Sequence, residues 1–185
     1  MAQYTKKAIL HTFTEMLTEM PLDRITVSAL VARCQISPNT FYYHYRDLSD
    51  LLNAWLSTAM EPFFSGGAER WQENLIALLN AMKQRPEIVY HVSVSLSREQ
   101  MERYVFLSAN DFFERLIDAE LKGRALPAES KKDMADFCRY AFLGFFLRFI
   151  WNRMEDDAAD TVRRLGGLCG QLVAGSEELN ENGKQ

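Results

Sequence analysis

The chain has 185 residues, 48% of them hydrophobic and 25% charged, enough for one domain or two small ones with a sizeable buried core. Its net charge of −4 lacks the basic excess of many nucleic-acid binders, yet residues 1–56 hold five basic against five acidic side chains, so the acidity falls on residues 57–185. No apolar run is long enough to cross a bilayer and Met1–Lys7 lacks the apolar core of a secretion signal, so a cytoplasmic protein with no membrane partner is expected.

Residues 4–19 place Ala8, Ile9, Phe13, Met16 and Leu17 on one stripe, which predicts a first helix ended by Pro21. Thr26 is placed to cap a second helix, whose Val27, Leu30 and Val31 follow i, i+3, i+4 spacing and which stops near Cys34-Gln35. Ile36 turns inward, and Ser37 caps a third helix with Pro38 at its first position, where a missing N–H is harmless. On that helix Phe41 and Tyr45 lie four apart and face the core. Asn39, Thr40, Tyr42, Tyr43 and His44 are then left pointing outward or sideways. Hydroxyls, an amide and an imidazole on one short helix suit phosphates and base edges.

Asp47 or Ser49 caps a fourth helix running through Leu51, Leu52, Trp55, Leu56 and Met60 until Pro62, and Gly66-Gly67 marks the clearest break in the chain. Helices are predicted over 69–83 and from Pro86. The alternating Val92–Leu96 reads as a helix end or connector, because a lone strand has nothing to pair with. A helix over 98–122 ends at Gly123; two more span 128–154 and 156–175, with a frayed polar tail at 176–185. The expected fold is therefore all-α, with about nine helices: a three-helix head containing a helix-turn-helix, a connecting fourth, and a helical-bundle body.

The segment from Ile25 to Leu51 resembles the helix-turn-helix of the TetR family of bacterial transcriptional regulators. The likeness rests on Ile25, Thr26, Val27, Leu30, Val31, Ala32, Ile36, Ser37, Thr40, Phe41, Tyr42, Tyr43, Tyr45 and Leu51, which agree in order and spacing. The resemblance implies a DNA-binding domain at 1–47 and a regulatory and dimerisation domain at 48–185. It implies phosphate contacts from Thr26, Thr40 and Tyr42. Ser37, Pro38, Asn39, Tyr43 and His44 would lie nearest the bases, with Asn39 able to pair with adenine and Tyr43 to touch a thymine methyl. Two positions depart from the pattern. Gln35 stands where the family usually has Gly, which predicts a strained positive φ. Leu48 stands where a Lys often meets the phosphate backbone, leaving Arg46 to substitute. A neutral head and uncharged phosphate contacts together predict a shallow salt dependence.

The family likeness further implies a homodimer on a pseudo-palindromic operator in double-stranded DNA, usually acting as a repressor. A small apolar effector would release it; a partner protein docking on the body is the alternative. Tyr90, His91, Tyr104 and Tyr140 are candidates for the polar groups of an effector pocket. Phe137–Trp151 is apolar nearly all round, and glycines recur at 166, 167 and 170, where each weakens a lone helix by about 1 kcal/mol relative to Ala. Close packing of the two last helices against their copies in a second subunit accounts for both, and places Ala141, Gly144, Phe145, Leu165, Gly166, Cys169 and Leu172 at the interface. Cys34, Cys138 and Cys169 have no metal-binding spacing and read as buried reduced thiols. The three histidines are far apart, and phosphate loops and nucleophile elbows are missing, so no enzyme, cofactor or metal is expected.

Overall fold

The computed structural model describes residues 2–64, 68–108, 112–121 and 126–182. These form ten α-helices, and among them there is no strand. The helices are α1 (Ala2–Glu19), α2 (Val27–Cys34), α3 (Pro38–His44), α4 (Leu48–Phe64), α5 (Trp71–Gln84), α6 (Pro86–Ser93), α7 (Arg98–Ser108), α8 (Phe112–Leu121), α9 (Ala128–Trp151) and α10 (Ala158–Asn182). Two short 3-10 helices, Leu22–Arg24 and Ala68–Arg70, precede α2 and α5. None of the described helices is long and apolar enough to cross a membrane.

The all-α expectation holds, with differences in detail. The stretch predicted as one helix over 98–122 is two, α7 and α8, on either side of residues outside the described set. The Gly66-Gly67 break and the Gly123 stop also lie outside the described residues. Helix α4 runs two residues past Pro62 to Phe64. Helix α9 ends at Trp151, short of Met154, because Arg153 and Met154 adopt φ of 52° and 60°. The Met154 and Arg153 amides donate back to the carbonyls of Phe149 and Ile150, the double bond of a Schellman end. Helix α10 continues to Asn182, through the tail expected to fray.

Contacts gather the chain into two compact units. The first comprises Met1–Met60 with Met82–Tyr104, the second Glu61–Ala81 with Val105–Gln185. A division of roles near residue 47 is thus not a division of packing: α6 joins the head, where it lies against α1. The first unit's core collects Ile9, Phe13, Met16 and Leu17 from α1, Leu30 and Val31 from α2, Phe41 and Tyr45, Leu51 and Leu52 from α4, and Ile88 and Val92 from α6. Trp55 adds its ring edge-on to Phe13 and donates its indole N–H to Thr14 Oγ1 at 2.8 Å, so the one polar atom of that ring is satisfied. In the second unit, α8 packs on α9 and α10, with Phe113, Ile117, Leu143, Phe149 and Val162 among the buried side chains.

Candidate nucleic-acid interface

Helix α2 starts where Thr26 Oγ1 accepts the Ala29 N–H at 3.2 Å. It stops at Gln35, whose φ of 55° and ψ of 40° are left-handed. The Ile36 and Gln35 amides donate to the carbonyls of Val31 and Ala32, so orphan carbonyls at the helix end find partners without a glycine. The chain leaves this reversal directly into Ser37, whose Oγ accepts the Thr40 N–H at 3.1 Å and bonds the Thr40 hydroxyl at 2.9 Å. Pro38 occupies the first position of α3. These local devices set α3 off as a short, separate rod.

The side chains of α3 divide as the spacing predicts. Phe41 is fully buried and Tyr45, its C-cap, is 3% exposed, with ring centroids 5.9 Å apart. Tyr42 is 56% and Tyr43 80% exposed, and Ser37, Pro38 and Asn39 lie on the surface beside them. Thr40 and His44 are half-buried, the His44 ring edge-on to Tyr43 at 5.0 Å. One end of the unit therefore presents an amide, hydroxyls, phenols and an imidazole on a helix held from behind by two aromatic rings.

Charge around this face is sparse and partly committed. Arg33 grips both carboxylate oxygens of Glu19 at 2.6 and 2.7 Å and reaches Glu15 at 3.5 Å. The Arg33 hydrogen bonds hold the Glu19 carboxyl below its ordinary range. That guanidinium is engaged within the head. Arg46 is well exposed, its Nε only loosely paired with Asp50 at 3.8 Å, and its backbone N–H donates to Asp50 Oδ2. Asp47, not Ser49, caps α4, accepting the Asp50 N–H at 2.8 Å. Leu48 packs half-buried against the core, so no cation extends from that position. Sequence spacing did not single out Lys6, yet its Nζ lies 5.8 Å above the Tyr45 ring, which puts an exposed ammonium of α1 beside the end of α3. Only the packing of α1 on the turn motif could reveal it.

The four residues expected around an effector are divided between the two units. Tyr90 is exposed, the His91 ring is occupied by the Leu17 carbonyl, and Tyr104 lies at the edge of the first unit's core, where burial pushes its phenol up. Tyr140 belongs to the second unit and is exposed. A cavity of about 30 Å³ in the second unit is lined by other side chains, among them Trp71, Phe113, Phe142 and Cys169. Among the seven residues expected between subunits, Gly144 is exposed, and Ala141, Phe145 and Leu172 are half-buried. Leu165 is buried in its own chain, Gly166 lies against Gln72 and Trp71, and Cys169 meets Cys138. By contrast, a Cβ added at Gly144, Gly167 or Gly170 would meet nothing. Among the described residues no group of three or more His, Cys, Asp or Glu side chains is placed to hold a metal ion.

The comparisons with known proteins agree on the fold. Residues 69–170 match a family model described as the C-terminal region of TetR-type transcriptional regulators. The dihydroxyacetone kinase operon activator DhaS superposes with a TM-score of 0.69 at 16% identity, over 92% of this chain and 96% of that one. A transcriptional regulator of the TetR/AcrR family from Aquifex aeolicus superposes with a TM-score of 0.57 at 21% identity, over 89% and 97%. No curated protein matches the chain in sequence.

Proposed function

This chain belongs to the TetR family of transcriptional regulators, and on that premise we propose that it is a homodimeric repressor of a pseudo-palindromic operator in double-stranded DNA. The observation that carries this reading is the split on α3. Phe41 and Tyr45 are buried, while Asn39, Tyr42 and Tyr43 stand clear of the protein on a helix narrow enough for a major groove. We assign DNA contact to residues 1–47, with phosphates taken by Thr26, Thr40, Tyr42 and the exposed cations Lys6 and Arg46. Asn39, Tyr43 and His44 take the bases. Dimerisation and regulation go to residues 48–185.

The dimer face we propose is the outward stripe of α9, Phe137, Tyr140, Gly144 and Trp151, with Gly167 and Leu168 of α10. Phe137 and Trp151 are 62% and 71% exposed, a large apolar area for a lone chain to leave in water. The open space at Gly144 and Gly167 lets a second pair of helices approach closely.

A second reading concerns the signal. Drug-sized ligands occupy pockets of about 300–1,000 Å³. The second unit's apolar cavity, at about 30 Å³, is far below that. This favours a partner protein acting on the body over a small apolar effector seated in this conformation. Whichever signal acts, it must bind the DNA-competent and incompetent forms unequally.

The DNA reading is tested by the double substitution Thr40→Ala with Tyr42→Ala. Operator binding should be lost while the thermal unfolding profile stays close to the parent. Unchanged binding refutes the assigned face.

A further inference from the structure

Cys138 lies on the buried side of α9 and Cys169 on α10, 31 positions apart in sequence, with their sulfurs 3.9 Å apart. Tertiary packing alone has brought these thiols together. A disulfide needs about 2.05 Å between sulfurs, so closure asks for an approach of about 2 Å. Space for that movement exists: both cysteines line the small apolar cavity, along with Trp71, Phe113, Phe142 and Leu165.

The two sulfurs are not equivalent. Cys138 is buried, whereas Cys169 is half-buried. The two sulfurs share one hydrogen bond that either S–H can donate; that contact holds the Cys169 thiol below its ordinary range and, together with burial, pushes the Cys138 thiol above it. Cys169, the less covered residue of the two, is placed to meet an oxidant first, with Cys138 behind it.

We propose that Cys138 and Cys169 form a peroxide-oxidised, reversible disulfide site that staples α9 to α10. The Cys169 thiolate attacks one oxygen of the peroxide; the O–O bond breaks, Cys169 becomes a sulfenic acid, and hydroxide leaves. The Cys138 sulfur then attacks the Cys169 sulfur, the S–O bond breaks, and water leaves as Cys138 gives up its proton. Two thiols lose two electrons and two protons, and one hydrogen peroxide becomes two waters. A dithiol reductant reverses the step. The site stands on sulfur geometry alone and does not depend on the DNA-binding reading.

The test uses the full chain, reduced, freed of reductant, treated with hydrogen peroxide, alkylated and mapped by mass spectrometry. Two of its three thiols should disappear together, in one linked peptide pair joining Cys138 to Cys169, while Cys34 stays alkylated and dithiothreitol restores both. Cys34→Ser should form the same link. In Cys138→Ser the link should be lost and dimedone should mark Cys169 as a sulfenic acid. Cys138 and Cys169 both left free in the oxidised parent chain, or links that join Cys34 or two chains instead, overturn the proposal; this mapping decides even if the serine variant fails to fold.

Discussion

The Nδ1 atom of His91 on α6 lies 2.7 Å from the carbonyl oxygen of Leu17, in the last turn of α1. A carbonyl only accepts, so this nitrogen carries the hydrogen. The acceptor is free for a reason written in the chain: its usual partner four residues on would be Pro21, which has no N–H. The histidine completes the end of α1 and ties α6 to the head.

Replacing His91 by Ala leaves that carbonyl unpartnered in a half-buried place. A loss of about 1–2 kcal/mol is expected, read from the midpoint of urea unfolding. A midpoint equal to the parent's would show that the bond contributes nothing.

Gln35 holds a backbone conformation that suits glycine. Gln35→Gly should stabilise the protein by about 0.5–1 kcal/mol, since relief of left-handed strain outweighs the added freedom of the unfolded chain. Gln35→Val, with a branched Cβ, should destabilise it. Thermal unfolding of the two variants must bracket the parent; a Gly variant below it would contradict the geometry.

The Tyr45 hydroxyl is buried with no hydrogen-bond partner among the described residues, and burial, aided by the Asp50 carboxylate, pushes its phenol up from 10 to about 12. A raised folded-state value means that its contribution to stability is complete below pH 10. That contribution is then lost as the pH climbs towards 12, because the unfolded chain ionises first. Tyr45→Phe should be at least as stable as the parent at pH 7 and should lose less stability between pH 10 and 12. Parallel pH profiles would count against this placement.

Much of the site was legible because it is made locally. A cap at Thr26, a cap at Ser37, Pro38 just inside α3, and the four-residue step from Phe41 to Tyr45 each act within one turn of chain, and each stands where the pattern predicts. The positive φ at Gln35 followed from the family resemblance, which puts a glycine at that place. What escaped depends on partners distant in sequence. His91 looked like a pocket residue because Leu17 is 74 positions away. Gly166 looked like a subunit contact, yet Gln72 of the same chain fills that approach. The apolar girth of α9 gave no sign of which side meets α8 and which stays open, since a helix apolar all round has no phase to read.

The proposed dimer face makes a sharp demand. Phe137→Arg with Trp151→Arg should convert a dimer into single chains by sedimentation, with helical content kept, because like charges would then face each other across the two-fold axis. A parent chain that sediments as a monomer at micromolar concentration removes the interface.

Selection of bound duplexes from a random library tests the DNA reading most directly. The account predicts a two-fold symmetric consensus whose half-sites are centred about one helical turn, roughly 10 base pairs, apart or a multiple of it. It also predicts that Asn39→Ala with Tyr43→Ala relaxes base preference at matching positions in both halves. An asymmetric consensus, or one that those two substitutions leave untouched, would contradict it.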